Sequence, residues 1–214
     1  MRRPWISTNL ALSADGKISD TAKRPSGWTS SADHERLIGL RRPADALMVG
    51  HGTLKSDRMT LTVPGQERQP LRCIISRHGE IAPDHPVFVK PGGDIHILAT
   101  ACLANQGNAP ATHHQGDLPS FLETLAVTHG VRHLHCEGGG QLIAALAALD
   151  FIDEFHATLA GHTIFGGMEA ATATGVPGPW LPESRRFEIT SFDPRPATGE
   201  CFVSWRRCGR FQCA

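Results

Sequence analysis

The sequence predicts an α/β fold, a mainly parallel central sheet with helices on both faces and a C-terminal antiparallel hairpin. Short apolar runs recur at Ala44 to Gly50, Leu71 to Ser76, Ile95 to Thr100, Val131 to Cys136 and Phe155 to Ala160, the pattern of strands covered on both faces. Helix-like stretches separate most of them, and parallel neighbours require such crossovers. The tail departs from this rhythm. Arg186 to Phe192 and Glu200 to Arg206 are strand-like and are joined by Asp193 to Gly199, a turn-forming run that predicts a hairpin at the sheet edge.

From Ser7 to Ser13 the chain alternates with period two, polar or small at Ser7, Asn9, Ala11 and Ser13 against apolar Leu10 and Leu12, as in a strand with one face on a core and one on a cleft. That strand runs into Asp15-Gly16-Lys17, where Asp-Gly is equally the signal of an ordinary hairpin. Ser30-Ser31 cap a helix over Ala32 to Arg42 whose apolar face is Leu37, Ile38 and Leu40, and Pro43 stops it. Further helices are predicted at Leu118 to His129 and Gln141 to Leu149. The Pro- and Gly-rich stretch Gly175 to Pro182 reads as a surface loop, because the strands beyond it are too few to fold alone. A single domain over residues 1–214 is the expectation.

With 21 basic and 21 acidic residues spread along the chain, no charged patch argues for nucleic acid or an anionic membrane surface. A small-molecule partner is expected. No segment reaches the roughly 20 apolar residues of a membrane span, and Asn9, Ser13 and Asp15 interrupt any signal-peptide apolar region. The six cysteines form no Cys-x-x-Cys pair, so neither a zinc site nor a redox dithiol is signalled, and a reducing cytoplasm suits them. His113-His114 are expected in a loop, and the histidines as solvated or core residues rather than metal ligands.

Three glycine-bearing turns follow strands. Val131 to Cys136 leads through Glu137, Gly138, Gly139 and Gly140 into a helix beginning at Gln141 and Leu142. Such a turn lets backbone N–H groups and a helix N-terminus meet an anion. It lacks the full Gly-x-Gly-x-x-Gly spacing, so a phosphate or dinucleotide site and a bare tight turn both fit. Val49 to Asp57 carries Gly50 and Gly52 with Thr53 and Asp57, which also suit caps or turns. Gly166-Gly167 make the third turn. Carboxyl ends of parallel strands share one crevice, so these turns are expected around one ligand. Asp153-Glu154 reads either as an acid pair for chemistry or as a solvated strand entry.

Several segments, in this order and spacing, carry a resemblance: Asn9-x-Ala11-x-Ser13-x-Asp15-Gly16-Lys17; Ser26-Gly27-Trp28-Thr29-Ser30; Leu40-Arg41; Asp45 to Gly50 with Gly52, Thr53 and Asp57; Leu61-Thr62; Glu137-Gly138-Gly139; and Ile164 to Gly167. Together they span nearly the whole chain, and it resembles the reductase domain of riboflavin biosynthesis, which is dihydrofolate-reductase-like in fold. The resemblance implies an NADPH-dependent reduction of a ribosylaminopyrimidine 5′-phosphate to its ribityl form, with hydride delivered to C1′, and a homodimer. It implies cofactor contacts at Ala11, Trp28, Thr53, Asp57, Gly139, Gly140, Gln141, Leu142, Gly166 and Gly167. It places substrate contacts at Asn9, Ser26, Arg41, Leu61 and Glu137, with Asp57 and Glu137 nearest the chemistry and Arg41 suited to the phosphate.

The chain departs from that family in several places. Asn9 looks like the archaeal and fungal reductases, where bacterial bifunctional enzymes have Lys, and an amide that donates and accepts bears on which pyrimidine is read. Pro64 stands where a phosphate-binding arginine is usual, leaving Arg58 or Arg68 as replacements, or a substrate without phosphate. His162 replaces a common proline. No Pro-Cys-x-x-Cys is present to complete a zinc-deaminase signature, so a reductase domain without a deaminase half is expected. Two other functions fit the same residues: a reductase of another small heterocycle or carbonyl compound, and a non-catalytic nucleotide-binding module.

Overall fold

The computed structural model describes residues 2–22, 27–102, 110–173 and 187–208. Its strands are β1 (Trp5–Ser13), β2 (Ala46–Gly50), β3 (Leu71–Ser76), β4 (Ile95–Ala99), β5 (Thr112–Gln115), β6 (His133–Cys136), β7 (Glu154–Ala160), β8 (Phe187–Arg195) and β9 (Glu200–Arg207). Its helices are α1 (Ser31–Arg41), α2 (His51–Asp57), α3 (Pro86–Val89), α4 (Leu118–Val127) and α5 (Gly140–Ala148). The strands form one sheet in the order β5-β4-β3-β2-β6-β1-β7-β9-β8. All neighbours from β5 to β7 are parallel, and β9 runs antiparallel to both β7 and β8.

The predicted strands form because their apolar runs are needed on both faces. Ala46, Met48, Cys73, Leu98, Leu134 and Cys136 join Phe121, Leu122 and Leu125 of α4 and Leu142, Ile143 and Leu146 of α5 in one core. Leu47, Val49, Ile74 and Ile97 pack on the opposite face with Leu54 of α2, Leu61 and Val87 of α3. Ser30 caps α1 by accepting from Asp33 N at 3.3 Å.

Four expectations are corrected. His113-His114 lie in β5 rather than in a loop, paired to β4 at Ile97 and Leu98. Val49 to Asp57 is not only a turn, for α2 starts immediately at His51. The apolar residues of α1 are only half-buried, and its one buried side chain is Arg41, because the sheet face beneath it at β1 and β7 is polar. Asp153 and Glu154 are not an acid pair in the crevice. Asp153 accepts two hydrogen bonds from Arg3, at 2.5 and 2.8 Å, and one from Ile6 N at 2.8 Å, which pins the N-terminus at the other end of the strands. Ser26, Gly175 to Pro182, Arg186 and Cys213 lie outside the described residues.

Candidate active site

β6 has only four residues and sits between β1 and β2, so the sheet opens above Cys136. That opening lies where the strand order reverses, the usual place for a ligand crevice. The turn Glu137 to Gly139 forms its floor, and two backbone hydrogen bonds hold it to β2: Glu137 N to Met48 O at 2.9 Å and Gly50 N to Gly138 O at 3.1 Å.

Two glycines are required there. Gly138 and Gly139 have φ of 87° and 78°, which L-residues rarely adopt. A Cβ on Gly138 would lie 2.9 Å from Leu10 Cδ2, and one on Gly139 2.9 Å from Thr53 Oγ1. The backbone therefore runs bare between β1 and α2. Gly139 is also the N-cap of α5 and supplies no side-chain cap, so N–H groups of the first turn, at Gly140 and Gln141, remain for an anionic ligand. Leu142 turns its side chain into the core, and Gln141 is exposed.

Beside this floor, Arg41 and Glu137 form a bidentate pair, Nε to Oε1 at 2.5 Å and Nη2 to Oε2 at 2.6 Å, while Arg41 Nη1 donates to Thr62 O at 3.0 Å. Both side chains are almost wholly buried. The two residues expected to meet different parts of a substrate thus meet each other. Arg41 anchors the carboxylate and the 62 backbone rather than presenting a free fork, and neither carboxylate oxygen of Glu137 is idle.

The remaining predicted residues fall on two sides. Asn9 and Ala11 are half-buried and share the β1 face turned toward α1, with Asn9 one residue beyond the last β1–β6 pair, Thr8 with Cys136. Asp57 closes α2, accepts from Ser56 Oγ at 3.0 Å and precedes Arg58, whose φ of 47° ends the helix. Leu61 has φ of 54° but a fully buried side chain in the core, so what it offers a ligand is backbone. Arg58 and Arg68 are both exposed.

A wall rises where β1 and β7 extend past β6. Asp15 accepts from Ser13 Oγ at 2.6 Å, from Gly166 N at 2.8 Å and from Phe165 N at 3.3 Å. The Ser13 hydroxyl and these amides hold its carboxyl below the usual range. Trp28 meets Phe165 edge-on at 5.0 Å. Asp15, Trp28, Phe165 and Gly166 are thereby brought together.

Sequence reading missed the polar layer between α1 and the sheet. Ser7 Oγ bridges His133 Nε2 at 2.7 Å and His135 Nδ1 at 2.8 Å. Burial pushes the His135 imidazole well down, and the neighbouring His156, His133, Arg41 and Arg36 add to it. Burial likewise pushes His156 down to about 4 against the pull of Glu154. Glu200, in β9, accepts from the Ser30 amide at 2.8 Å and from the Ser30 hydroxyl, and lies 3.5 Å from His162 Nε2. Burial opposes its charge, but the hydrogen bonds from Ser30, His162 and Thr198 outweigh it, and its carboxyl is held low. Nothing in the segments of Arg36 and Glu200 announces these partners; only the polar positions of β1 hinted at a polar inner face.

An open, mostly parallel sheet with a C-terminal antiparallel pair defines an α/β fold of the dihydrofolate-reductase-like class. Dihydrofolate reductase from Enterococcus faecalis shares this fold at a TM-score of 0.56 and 12% identity, covering 96% of this chain and 97% of that one. The chain belongs to the RibD C-terminal domain family, whose model matches residues 4–194. It is 29% identical over 192 residues to the 2,5-diamino-6-ribosylamino-4(3H)-pyrimidinone 5′-phosphate reductase of Archaeoglobus fulgidus, covering 79% of this chain and 85% of that one. Acinetobacter baumannii RibD superposes at a TM-score of 0.81 with 18% identity, over 97% of this chain and 59% of that chain.

Proposed function

We propose that this protein is a pyrimidine reductase of riboflavin biosynthesis, using NADPH to reduce the ribosyl group of a ribosylaminopyrimidine 5′-phosphate to ribityl. The observation that carries it is the bare Gly138-Gly139 backbone, pressed between Leu10 and Thr53 at the uncapped start of α5. The family and the archaeal relative's name supply the reaction. The cradle fits a dinucleotide pyrophosphate, since any side chain there would fill it. NADPH, when bound, supplies the hydride that C1′ of the ring-opened sugar accepts.

The chain's own groups bind and orient. Gly140 and Gln141 N–H groups and Thr53 meet the pyrophosphate; Ala11, Trp28 and the Gly166-Gly167 turn flank the nicotinamide side. Asn9 reads the pyrimidine, and the Arg41–Glu137 pair sets the wall beside it. Asp57, at the end of α2, is positioned to orient the sugar. With Arg41 committed to Glu137, Arg58 and Arg68 are the candidates we take for a phosphate. Positioning of this kind accounts for much of a rate without a reactive side chain. We take residues 1–214 as one reductase domain working in the cytoplasm. Two copies are expected to pair near β8, where Ile189 and Phe192 are 61% and 64% exposed.

Fluorescence titration with NADPH tests the cofactor, and NADPH consumption on the aminouracil and diaminopyrimidinone ribotides tests the substrate. Tight NADPH binding and turnover of one ribotide are expected. Absence of NADPH affinity overturns the reading.

A further inference from the structure

Glu200 is only 4% exposed, and among the described residues neither a lysine nor an arginine pairs with it. Its charge is met instead at the start of α1. Oε1 accepts from the Ser30 amide at 2.8 Å and Oε2 from the Ser30 hydroxyl, while Thr198 Oγ1 lies 3.3 Å from Oε2 and His162 Nε2 3.5 Å from Oε1. Ser30 Oγ also accepts from Asp33 N at 3.3 Å, so its one proton is directed at Glu200. A carboxylate suits this place, because the N-terminus of a helix attracts negative charge.

This contact joins the two sides of the crevice wall. Trp28 stands two residues before Ser30 and meets Phe165 edge-on at 5.0 Å. Phe165 belongs to the turn after β7, and β7 is the ladder neighbour of Glu200: Ala160 stands opposite Glu200, and Gly161 N donates to Gly199 O at 3.0 Å. Thr163 O accepts from Ala14 N at 2.8 Å, and Asp15 holds the Phe165 and Gly166 amides. The Phe165 side of the wall is therefore tied to the sheet by backbone, and Ser30 with Glu200 ties the Trp28 side to β9. The body of α1 has a separate anchor. Arg36 Nη2 donates to Val203 O at 3.0 Å and Ser204 Oγ at 3.3 Å, and its guanidinium lies 5.0 Å over the Phe202 ring. Loss of the Glu200 contacts thus frees the segment before α1 and leaves the helix in place.

We propose that Glu200 is a positioning residue for the cofactor: from β9 it fixes Ser30, and through Ser30 the Trp28 ring against Phe165, so that the nicotinamide side of the crevice is assembled before NADPH binds. The inference rests on reading the crevice as a pyrimidine reductase site, and it adds to that reading a residue outside every glycine turn. Without the carboxylate the wall is assembled for only part of the time, and affinity falls by that fraction.

The decisive variant is Glu200→Gln, which keeps the shape but turns an NH2 group toward one of the two Ser30 donors. Hydrogen bonds to a charged group are strong enough that Kd for NADPH, read by fluorescence titration, is expected to rise about 10-fold, with KM for the turned-over ribotide unchanged. Ser30→Ala removes the hydroxyl alone and weakens NADPH several-fold, whereas Ser30→Thr keeps the hydroxyl and restores the parent value. Kd for Glu200→Gln within twofold of the parent overturns the proposal, and where that variant does not fold the same limit applies to Ser30→Ala. A parallel rise in KM for the ribotide makes the loss a general collapse of the crevice and also overturns it. Fluorine nuclear magnetic resonance on protein carrying fluorinated tryptophan reads the wall without cofactor. The Trp28 resonance, assigned with Trp28→Phe, is expected to be sharp in the parent and broadened or shifted in Glu200→Gln and Ser30→Ala, with those of Trp5 and Trp205 unmoved. An unchanged Trp28 resonance overturns the proposal. If the parent protein does not bind NADPH, the functional reading fails and this resonance still decides whether Glu200 holds the wall.

Discussion

Glu137→Gln is the most informative single change. It keeps the shape of the side chain but removes the charge that faces Arg41 through two contacts of 2.5 and 2.6 Å. Both side chains are shielded, at 9% and 3% exposure. Water cannot replace the lost partner, and Arg41 is left with Thr62 O and a neutral amide. Breaking a buried pair by removing one partner costs about 3–5 kcal/mol. At about 2–4 °C per kcal/mol for a chain of this size, Tm falls by roughly 6–20 °C. Urea denaturation at neutral pH measures the free energy directly. The paired variant Arg41→Met with Glu137→Leu removes both charges and is expected to recover most of the loss, because the desolvation cost disappears with them. A Glu137→Gln loss below about 1 kcal/mol, the range of exposed pairs, would refute the claim that this bridge is a buried anchor of the crevice.

Three other outcomes follow from the same geometry. Gly139→Ala puts a Cβ 2.9 Å from Thr53 Oγ1 at a φ of 78°, costs about 1–2 kcal/mol in backbone strain alone, and weakens NADPH in a fluorescence titration at least tenfold; unchanged affinity would remove the cradle from the cofactor site. Asp15→Ala frees the Gly166 and Phe165 amides, so their hydrogen exchange accelerates while that of the sheet core does not. His96, lowered to about 4 by burial first and then by His129 and His114, binds its proton in the unfolded chain before the folded one. Its contribution to stability is therefore unfavourable at low pH: stability falls as pH drops from about 6.5 toward 4, by roughly 3 kcal/mol. His96→Gln should flatten that limb in pH-dependent urea titrations.

Apolar runs that must be buried on both faces were legible without a structure. The run Leu71 to Ser76 coincides with β3, and the serine cap of α1 stands where the sequence puts it. Elements without such a signal were not. β5 is made of Thr, His, His and Gln, and its pairing to β4 is backbone chemistry that side-chain periodicity does not report. α2 begins at a glycine-bearing run whose residues suit turns as well as helices, and only packing of Leu54 on the sheet settles it.

The same division holds for the site. The Glu137 to Gly140 turn was nameable because glycine turns at strand ends follow local rules, and Asn9, Thr53 and Asp57 were nameable through the resemblance. That Arg41 and Glu137 consume one another was not, since the two lie 96 residues apart and each looks competent alone.

The sequence by itself determined the apolar strands and the glycine turns, because burial periodicity and backbone conformation are local properties of the chain, and it carried the family through the order of its motifs. Which polar groups are committed and which remain to meet a ligand was decided only by tertiary structure. Hydrogen-bond satisfaction is a property of neighbours in space, and α1 brings Arg36 and Arg41 to partners that nothing in their own segment announces.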